Sequence, residues 1–443
     1  MTYLPSFIKT SFIFNPVFKQ IQLPATQCSK AKLCQCSVAH SSVHGLKIRQ
    51  MEYFRKPPAS EQLLQLSGAN NAFAIYLYQT LRDERGGRNL FFSPLSISTA
   101  LAMTQLGARG DTASQIANVF RFNQADLRQL HGTFKELNSL LYKPDSGYKL
   151  HAANKLYGKS GYNFVRSFLE GTASYYGAAI EAVDDFADPT TTKSINDWVS
   201  KQTEGKIKDL IAPGVLDALT RLVLVNAIYF NGAWESKFLP GNTSQDSFKV
   251  LDERRIVQMN VMFQMGKFNL AKDKSNDCLV LELPYRGQSL SLLIALPNKD
   301  DGLDKLESNL STKTFQSWDK GLQSTLVHVM LPKFKLEAEF QLADTLKVMG
   351  MPDAFDKDRA NFEGIAGDKD LYISAVIHKA FVDVNEEGSE AAAATAVMVM
   401  LGCSMPAKPK KPILFRADHP FLFIIRHRLT KSVIFMGRMM DPS

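Results

Sequence analysis

Side chains able to act as nucleophiles, bases or metal ligands occur throughout the 443-residue chain, but not at the spacings such chemistry needs. No G-x-S-x-G turn presents an activated serine, no H-E-x-x-H pair offers zinc two ligands on one helix face, and no G-x-G-x-x-G cradles a dinucleotide. Gly158-Lys159-Ser160 has the ending of a phosphate loop, but the glycine required five positions before Gly158 is Ala153. The eight histidines are scattered, and Cys34-x-Cys36 lacks partners at zinc-site distance. The residues therefore point to no catalytic group, no metal and no cofactor.

One segment is unusual in another way. Residues 385–401 read NEEGSEAAAATAVMVML. Alanine favours helix, which makes a short helix the plain reading. Gly388 breaks such a helix near its start, and Met398–Leu401 would lack a polar face. Read as a strand, Ser389, Ala391, Ala393, Thr395, Val397, Val399 and Leu401 share one face and grow from small to large. Nothing near the glycine is bulky enough to obstruct entry between two existing strands.

The elements that must carry this segment follow from apolar spacing. Helical patterns cover Ser60 to Arg85, the stretch from Pro94 to Gly107, Ser114–Val119, Leu127–Leu141, Asn163–Tyr176, Thr190–Thr203 and Glu339–Met349. Strand-sized runs are Asn89–Phe92, Leu222–Phe230, Cys278–Leu283, Ser289–Leu296, Thr325–Leu331, Ala380–Val384 and Leu422–Ile425. Helices dominate early and strands late without βαβ alternation, which predicts an α+β fold. The composition, 45% hydrophobic and 22% charged, is that of a globular chain, and no apolar run reaches membrane-spanning length.

The net charge of +8 is unevenly placed. Residues 1–51 hold Lys9, Lys19, Lys30, Lys32, Lys47 and Arg49 and no acid, so the tail contributes most of it. The body has no basic stripe of the kind that grips nucleic acid. Residues 1–59 are read as a basic extension, either a targeting segment or a disordered tail, with Met51 as an alternative start. Cys278 and Cys403 are the only body cysteines, too few for a disulfide framework. Asn242-Thr-Ser and Asn309-Leu-Ser are glycosylation sequons, meaningful only in a secreted protein.

Five motifs, in order, resemble those of the serpins, the serine protease inhibitor superfamily. They are Asn89-Leu-Phe-Phe-Ser-Pro-Leu-Ser-Ile, Leu224-Val-Asn-Ala-Ile-Tyr-Phe-Asn-Gly-Ala-Trp, Leu331-Pro-Lys-Phe, the segment Asn385–Ala396, and the closing pair Asp418-His-Pro-Phe-Leu-Phe-Ile-Ile-Arg and Phe435-Met-Gly-Arg. The resemblance spans about residues 60–442. It implies a single domain over 60–443 with three β-sheets, about nine helices and a reactive loop over about 386–416. It also implies a monomeric, single-use inhibitor without enzymatic activity. The loop is cleaved as a substrate, its freed arm enters sheet A as an added strand, and the acyl-enzyme is trapped.

Roles carry over to matching positions only. Glu386, Glu387, Gly388, Ser389, Ala391 and Ala393 resemble the hinge. Lys333, Trp234 and Glu386 resemble the breach, with a Lys333–Glu386 ion pair expected. Ser93, Ser96, Asn226 and His378 resemble the shutter. Without the resemblance each has a plainer reading, Ser93 as a helix cap and His378 as a structural histidine.

The loop departs from the family pattern in length. Counting from Gly388 places the cleaved bond at Leu401–Gly402–Cys403, which suits chymotrypsin-like or elastase-like serine proteases. Counting back from Asp418 points to Lys408, which suits trypsin-like ones. A cysteine protease stays open as a target, as does a non-inhibitory binding or chaperone-type role. No nucleic acid or membrane partner is expected. The lack of a clear signal peptide favours the cytoplasm, while the family's commonest compartment is extracellular.

Overall fold

Ser60 starts the first helix by accepting a hydrogen bond from the Leu63 N–H, 3.3 Å away, which satisfies one of the otherwise unpartnered first-turn amides. The structure, a computed structural model, describes residues 59–122, 128–143, 147–250, 255–367, 370–388 and 411–442. The first half contains α1 (Glu61–Arg85), β1 (Leu90–Phe92), α2 (Pro94–Gly107), α3 (Gly110–Val119), α4 (Leu130–Leu141), β2 (Tyr148–Lys159), α5 (Arg166–Tyr176), β3 (Ile180–Val183) and α6 (Pro189–Gln202). Strands β4 (Leu222–Gly232), β5 (Ser244–Val250), β6 (Arg255–Asp273), β7 (Cys278–Pro284) and β8 (Leu290–Pro297) follow. The rest comprises α7 (Leu303–Ser308), α8 (Thr312–Gly321), β9 (Gln323–Pro332), β10 (Phe334–Gln341), α9 (Ala343–Met349), β11 (Ile373–Val384), β12 (Ile413–Arg416), β13 (Phe421–His427) and β14 (Val433–Met439). Among the described residues this is an α+β domain with nine α-helices.

Two differences from expectation have clear causes. The helix predicted over Glu339–Met349 is confined to Ala343–Met349, because Glu339, Phe340 and Gln341 continue β10 and pair with Lys379, His378 and Ile377. Three sheets were expected, whereas hydrogen bonding joins the described strands into two. One runs β10-β11-β4-β2-β3; the other runs β1-β14-β13-β8-β7-β6-β9-β12, with β5 on β6. The 19-residue β6 causes the merger. It pairs with β5 and β9 along its first part and with β7 at Asn269–Asp273, bridging two groups of strands that would otherwise separate.

The five-stranded sheet positions the site. Its central strand β4 is buried on both faces, which explains the unbroken apolar run Leu222–Val225. Leu222 and Leu224 face one core, shared with α1 and α2. Val223 and Val225 face a smaller core with Ile195 and Val199 of α6, continued by Ile207, Leu210 and Ile211 after it. Beside β4 lies β11, and the two run parallel from Ile373↔Leu222 to Val382↔Phe230. They are separated in sequence by six strands, so their ladder is a long-range pairing. The other neighbour of β4, β2, is antiparallel to it, with Asn154 opposite Asn226.

Candidate functional site

Two side-chain clusters bracket the β4–β11 pair, one beneath its middle and one at its end. In the middle, Ser93 caps α2, its Oγ accepting from the Ser96 N–H at 3.2 Å and donating to the Ile434 carbonyl at 2.6 Å. The Ser93 N–H donates to His378 Nε2 at 3.1 Å. That bond makes Nε2 the acceptor, so Nδ1 carries the proton and donates to Asn226 Oδ1. Asn226 Nδ2 in turn donates to the Ser96 carbonyl at 3.0 Å, to Ser96 Oγ at 2.6 Å, and to Asn154 Oδ1.

Ser93, Ser96, Asn226 and His378 are all buried. Every expected shutter residue is therefore brought into one network. Asn154, which sequence reasoning missed, extends it across three neighbouring strands, because Asn154, Asn226 and His378 sit opposite one another on β2, β4 and β11. Burial lowers the His378 pKa to about 3. An imidazolium here would also turn an N–H towards the Ser93 N–H, so the neutral ring is the one that fits.

At the end of β11 the chain reverses. Asn385 N–H donates to the Gly388 carbonyl at 3.0 Å, and Gly388 N–H donates back to the Asn385 carbonyl at 3.2 Å. Gly388 has φ of +116°; a Cβ there would overlap the Gly232 carbonyl oxygen and stand 2.6 Å from the Trp234 nitrogen. Both conditions demand glycine. The turn is docked on the exit of β4: Trp234 N–H donates to the Glu387 carbonyl and Phe238 N–H to the Glu386 carbonyl, both at 3.0 Å.

The side chains repeat the attachment. Lys333 Nζ lies 2.8 Å from Glu386 Oε2, giving the expected ion pair. Trp234 Nε1 donates to the Asn385 carbonyl at 2.9 Å, its indole stacked on Tyr285 with 4.6 Å between ring centroids. Thr243 Oγ1 donates to Glu386 Oε1 at 2.7 Å, and Lys237 pairs with Glu387. Neither Thr243 nor Lys237 was anticipated. Lys237 follows Trp234 by three residues, which could have placed it near the turn; nothing in the sequence marked Thr243. Burial pushes the Glu386 carboxyl pKa up, but hydrogen bonds from Lys333 and Thr243 outweigh it and hold the group below its ordinary range.

Ser389, Ala391 and Ala393 of the expected hinge, and Leu401, Gly402, Cys403 and Lys408 around the expected cleavage site, lie outside the described residues. Residues 1–58 do so too. Among the described residues no group of three or more His, Cys, Asp or Glu side chains is placed to hold a metal ion. Cys278 is free and buried, and burial pushes its thiol pKa up to about 12.

Comparison with known proteins agrees with this geometry. The family model described as "Serpin (serine protease inhibitor)" matches residues 68–442. Leukocyte elastase inhibitor A of Rattus norvegicus is 43% identical over 385 residues, covering 85% of this chain and 100% of the relative. Uncleaved ovalbumin superposes with a TM-score of 0.76 at 31% identity, over 85% of this chain and all of that one. Serpin48 of the insect Tenebrio molitor, described as a highly specific serpin, gives 0.75 at 36% identity, over 86% and 98%.

Proposed function

Because the chain belongs to the serpin family, we propose that it is an inhibitory member whose freed loop arm becomes a strand between β4 and β11. The observation that carries this reading is the reversing turn Asn385–Gly388 at the end of a parallel strand pair. A strand that leaves β11 through a tight turn runs antiparallel to it. Placed between β11 and β4, it is antiparallel to both. One parallel pairing is thereby exchanged for two antiparallel ones, which hold slightly better per residue and add a full set of backbone bonds. The native form is then held by kinetics above a more stable one.

Length bears on the cleaved bond. An arm from Ser389 to Leu401 has 13 residues, against 12 in β11 and 11 in β4. Cleavage at Leu401–Cys403 thus gives an arm matched to the sheet. Cleavage at Lys408 would leave a surplus that slackens the tether to the trapped enzyme. We therefore assign the target to elastase-like or chymotrypsin-like serine proteases, in keeping with the name of the rat relative. Glu386–Gly388 with Ser389, Ala391 and Ala393 form the hinge; Lys333, Trp234 and Glu386 close the end of the sheet; Ser93, Ser96, Asn226 and His378 latch its middle.

Incubation with pancreatic elastase, chymotrypsin and trypsin, followed by denaturing gels and mass measurement, tests the proposal. A covalent complex with the first two, cleaved within Leu401–Cys403, is the expected result, together with a Tm well above the native value for the cleaved form. Clean cleavage without a complex or a Tm rise would overturn inhibition in favour of a binding-type role.

A further inference from the structure

Gly158-Lys159-Ser160 lacks the spacing of a phosphate loop, yet the fold sets Lys159 and Ser160 on the wall of an open cleft of about 750 Å³. Lys159 ends β2. Arg221, just before β4, and Lys357 and Asp370, from the chain between α9 and β11, also line the cleft. Among its described lining residues three cations stand with one carboxylate, a net charge of +2. Their charges are poorly countered. Lys159 Nζ donates to the Asp184 carbonyl at 2.6 Å but stays 3.9 Å from Asp185 Oδ1. Arg221 uses Nη1 alone, on the Ala218 and Thr220 carbonyls at 3.1 and 3.3 Å, which leaves Nε and Nη2 without an acceptor among the described residues. Lys357 has neither an ion pair nor a hydrogen bond among the described residues. A cleft lined by one sign of charge concentrates ions of the other sign.

The chemistry of the cations says which anion. The unused edge of a guanidinium fits two phosphate oxygens at once, and ammonium groups bind phosphate as point charges. The three cations come from separate chain segments, and the cleft has the volume of a site for a drug-sized ligand. Both features suit an anion with several phosphate groups better than a lone one. The position of the cleft says what such an anion would do. It lies at the foot of the β4–β11 pair. Lys159 N–H donates to the Arg221 carbonyl at 2.8 Å, tying β2 to the start of β4. Arg221 N–H donates to Ser374 Oγ at 2.9 Å and the Tyr372 hydroxyl to the Leu219 carbonyl at 2.9 Å, tying that start to the start of β11. On the insertion proposed above, the arm's far end would arrive at this foot, part Arg221 from Ser374, and move the β4 side of the cleft away from the side that carries Lys357.

From this juxtaposition we propose that the foot cleft binds a small polyphosphate, held by Lys159 and Arg221 on one side and Lys357 on the other, and that the bound anion keeps the β4–β11 pair closed. The hold on the strand pair rests on the inhibitory reading above; binding of the anion does not. A ligand that bridges the two sides binds the closed pair better than the parted one and shifts the population towards it. Insertion then slows, the acyl-enzyme has longer to hydrolyse, and more of the inhibitor is cleaved without trapping.

Titration calorimetry of the full-length protein with sodium tripolyphosphate, orthophosphate and citrate tests the site. Tripolyphosphate should bind at least about tenfold more tightly than the other two and should raise the native Tm. Lys357→Gln removes a charge without a protein partner, which spares the native fold, and should weaken binding about tenfold. Asp370→Asn removes the opposing charge and should tighten it. Lys313→Gln on α8, outside the cleft, should change nothing. No binding, or equal affinity for the three anions, overturns the proposal. An affinity unaltered by both Lys357→Gln and Asp370→Asn overturns it in favour of binding to the basic tail. With saturating tripolyphosphate the stoichiometry of elastase inhibition should rise about twofold or more, and the rise should vanish in Lys357→Gln. Intact binding with an unchanged stoichiometry overturns the hold on the strand pair. Absence of any covalent complex with the unmodified protein overturns the inhibitory reading and that hold with it, while the calorimetry still decides the site.

Discussion

The middle and the end of the β4–β11 pair are held by opposite means. In the middle, Ser93, Ser96, Asn226 and His378 are neutral, buried and hydrogen-bonded to one another and to the backbone. At the end, Lys333 and Lys237 hold Glu386 and Glu387 by ion pairs, and the Lys333 side chain is 36% exposed. Water can replace a partner at the end as soon as it leaves, so separation there costs little. In the middle the groups are buried, and each parted donor or acceptor loses its full solvation until it finds another partner. The contrast teaches the direction of opening. On the insertion proposed above, the strands would part from the Gly388 end, with the buried network as the barrier that the entering arm must cross and re-pair.

The largest effect is expected where the arm first passes the open end. Ser389→Arg puts a charge on the face that would be buried, at a cost of several kcal/mol without a partner. Native stability should be unaltered, because the cost arises only on insertion. Loop cleavage should proceed at the normal rate while the covalent complex disappears, with the stoichiometry of inhibition rising at least about tenfold. A complex formed as readily as in the unmodified protein would break the comparison, since the end would then not be the gate.

The next effect belongs to the middle. Asn226→Ala removes partners from His378, Ser96 and Asn154 at once, which should lower native stability by about 3 kcal/mol. For a domain of this size that is a fall in Tm of about 4 °C. The same network has a pH signature. His378 titrates near 3 in the folded state against 6.5 ordinarily, so the unfolded chain binds the proton more readily between those values. Its contribution is complete above pH 6.5 and declines by about 1.4 kcal/mol per unit as pH falls towards 3. Half-buried His131, lowered to about 4 by desolvation, acts with the same sign. Glu282, held at about 2, loses its contribution only below its ordinary 4.5. His378→Gln should therefore flatten the slope of Tm against pH between 4.5 and 6.5, leaving the share of His131.

Much of this was legible in the sequence for physical reasons that differ from element to element. The first helix from Ser60, the strand–turn–helix at Leu90–Gly107 and strand β4 announce themselves through three-to-four apolar spacing, proline placement and an unbroken apolar run. Strand β2, with the sequence YKLHAANKLYGK, does not, because its polar residues are used in contacts: Asn154 in the central network, Lys155 with Glu181, and His151 against Tyr229. A strand stabilised by such pairings shows no two-residue apolar period. Strand β6 was missed because it changes pairing partners along its length. The same logic separates the site residues. Ser93, Ser96, Asn226 and His378, and Trp234, Lys333 and Glu386, lie together in the described residues as their motifs suggested, while Asn154 and Thr243 are polar side chains whose meaning depends on what lies opposite them in space.

The smallest effect should come from the exposed end, and its smallness is the sharpest check on the comparison. Lys333→Ala removes an ion pair that salt screens and water replaces, so native stability should fall by less than about 1 kcal/mol. The difference should shrink further in 1 M salt, where screening acts over about 3 Å. Glu386 sits below its ordinary pKa of 4.5. Its contribution is therefore present above pH 4.5 and vanishes as pH falls through the lower folded value, with the same sign as that of His378 but starting at a lower pH. Double-mutant cycles place the two regions on one scale. Lys333→Ala with Glu386→Gln should give a coupling of about 0.5 kcal/mol, and Ser96→Ala with Asn226→Ala at least about 1.5 kcal/mol. Equal couplings would mean that the end resists parting as strongly as the middle, and opening would have no preferred starting point.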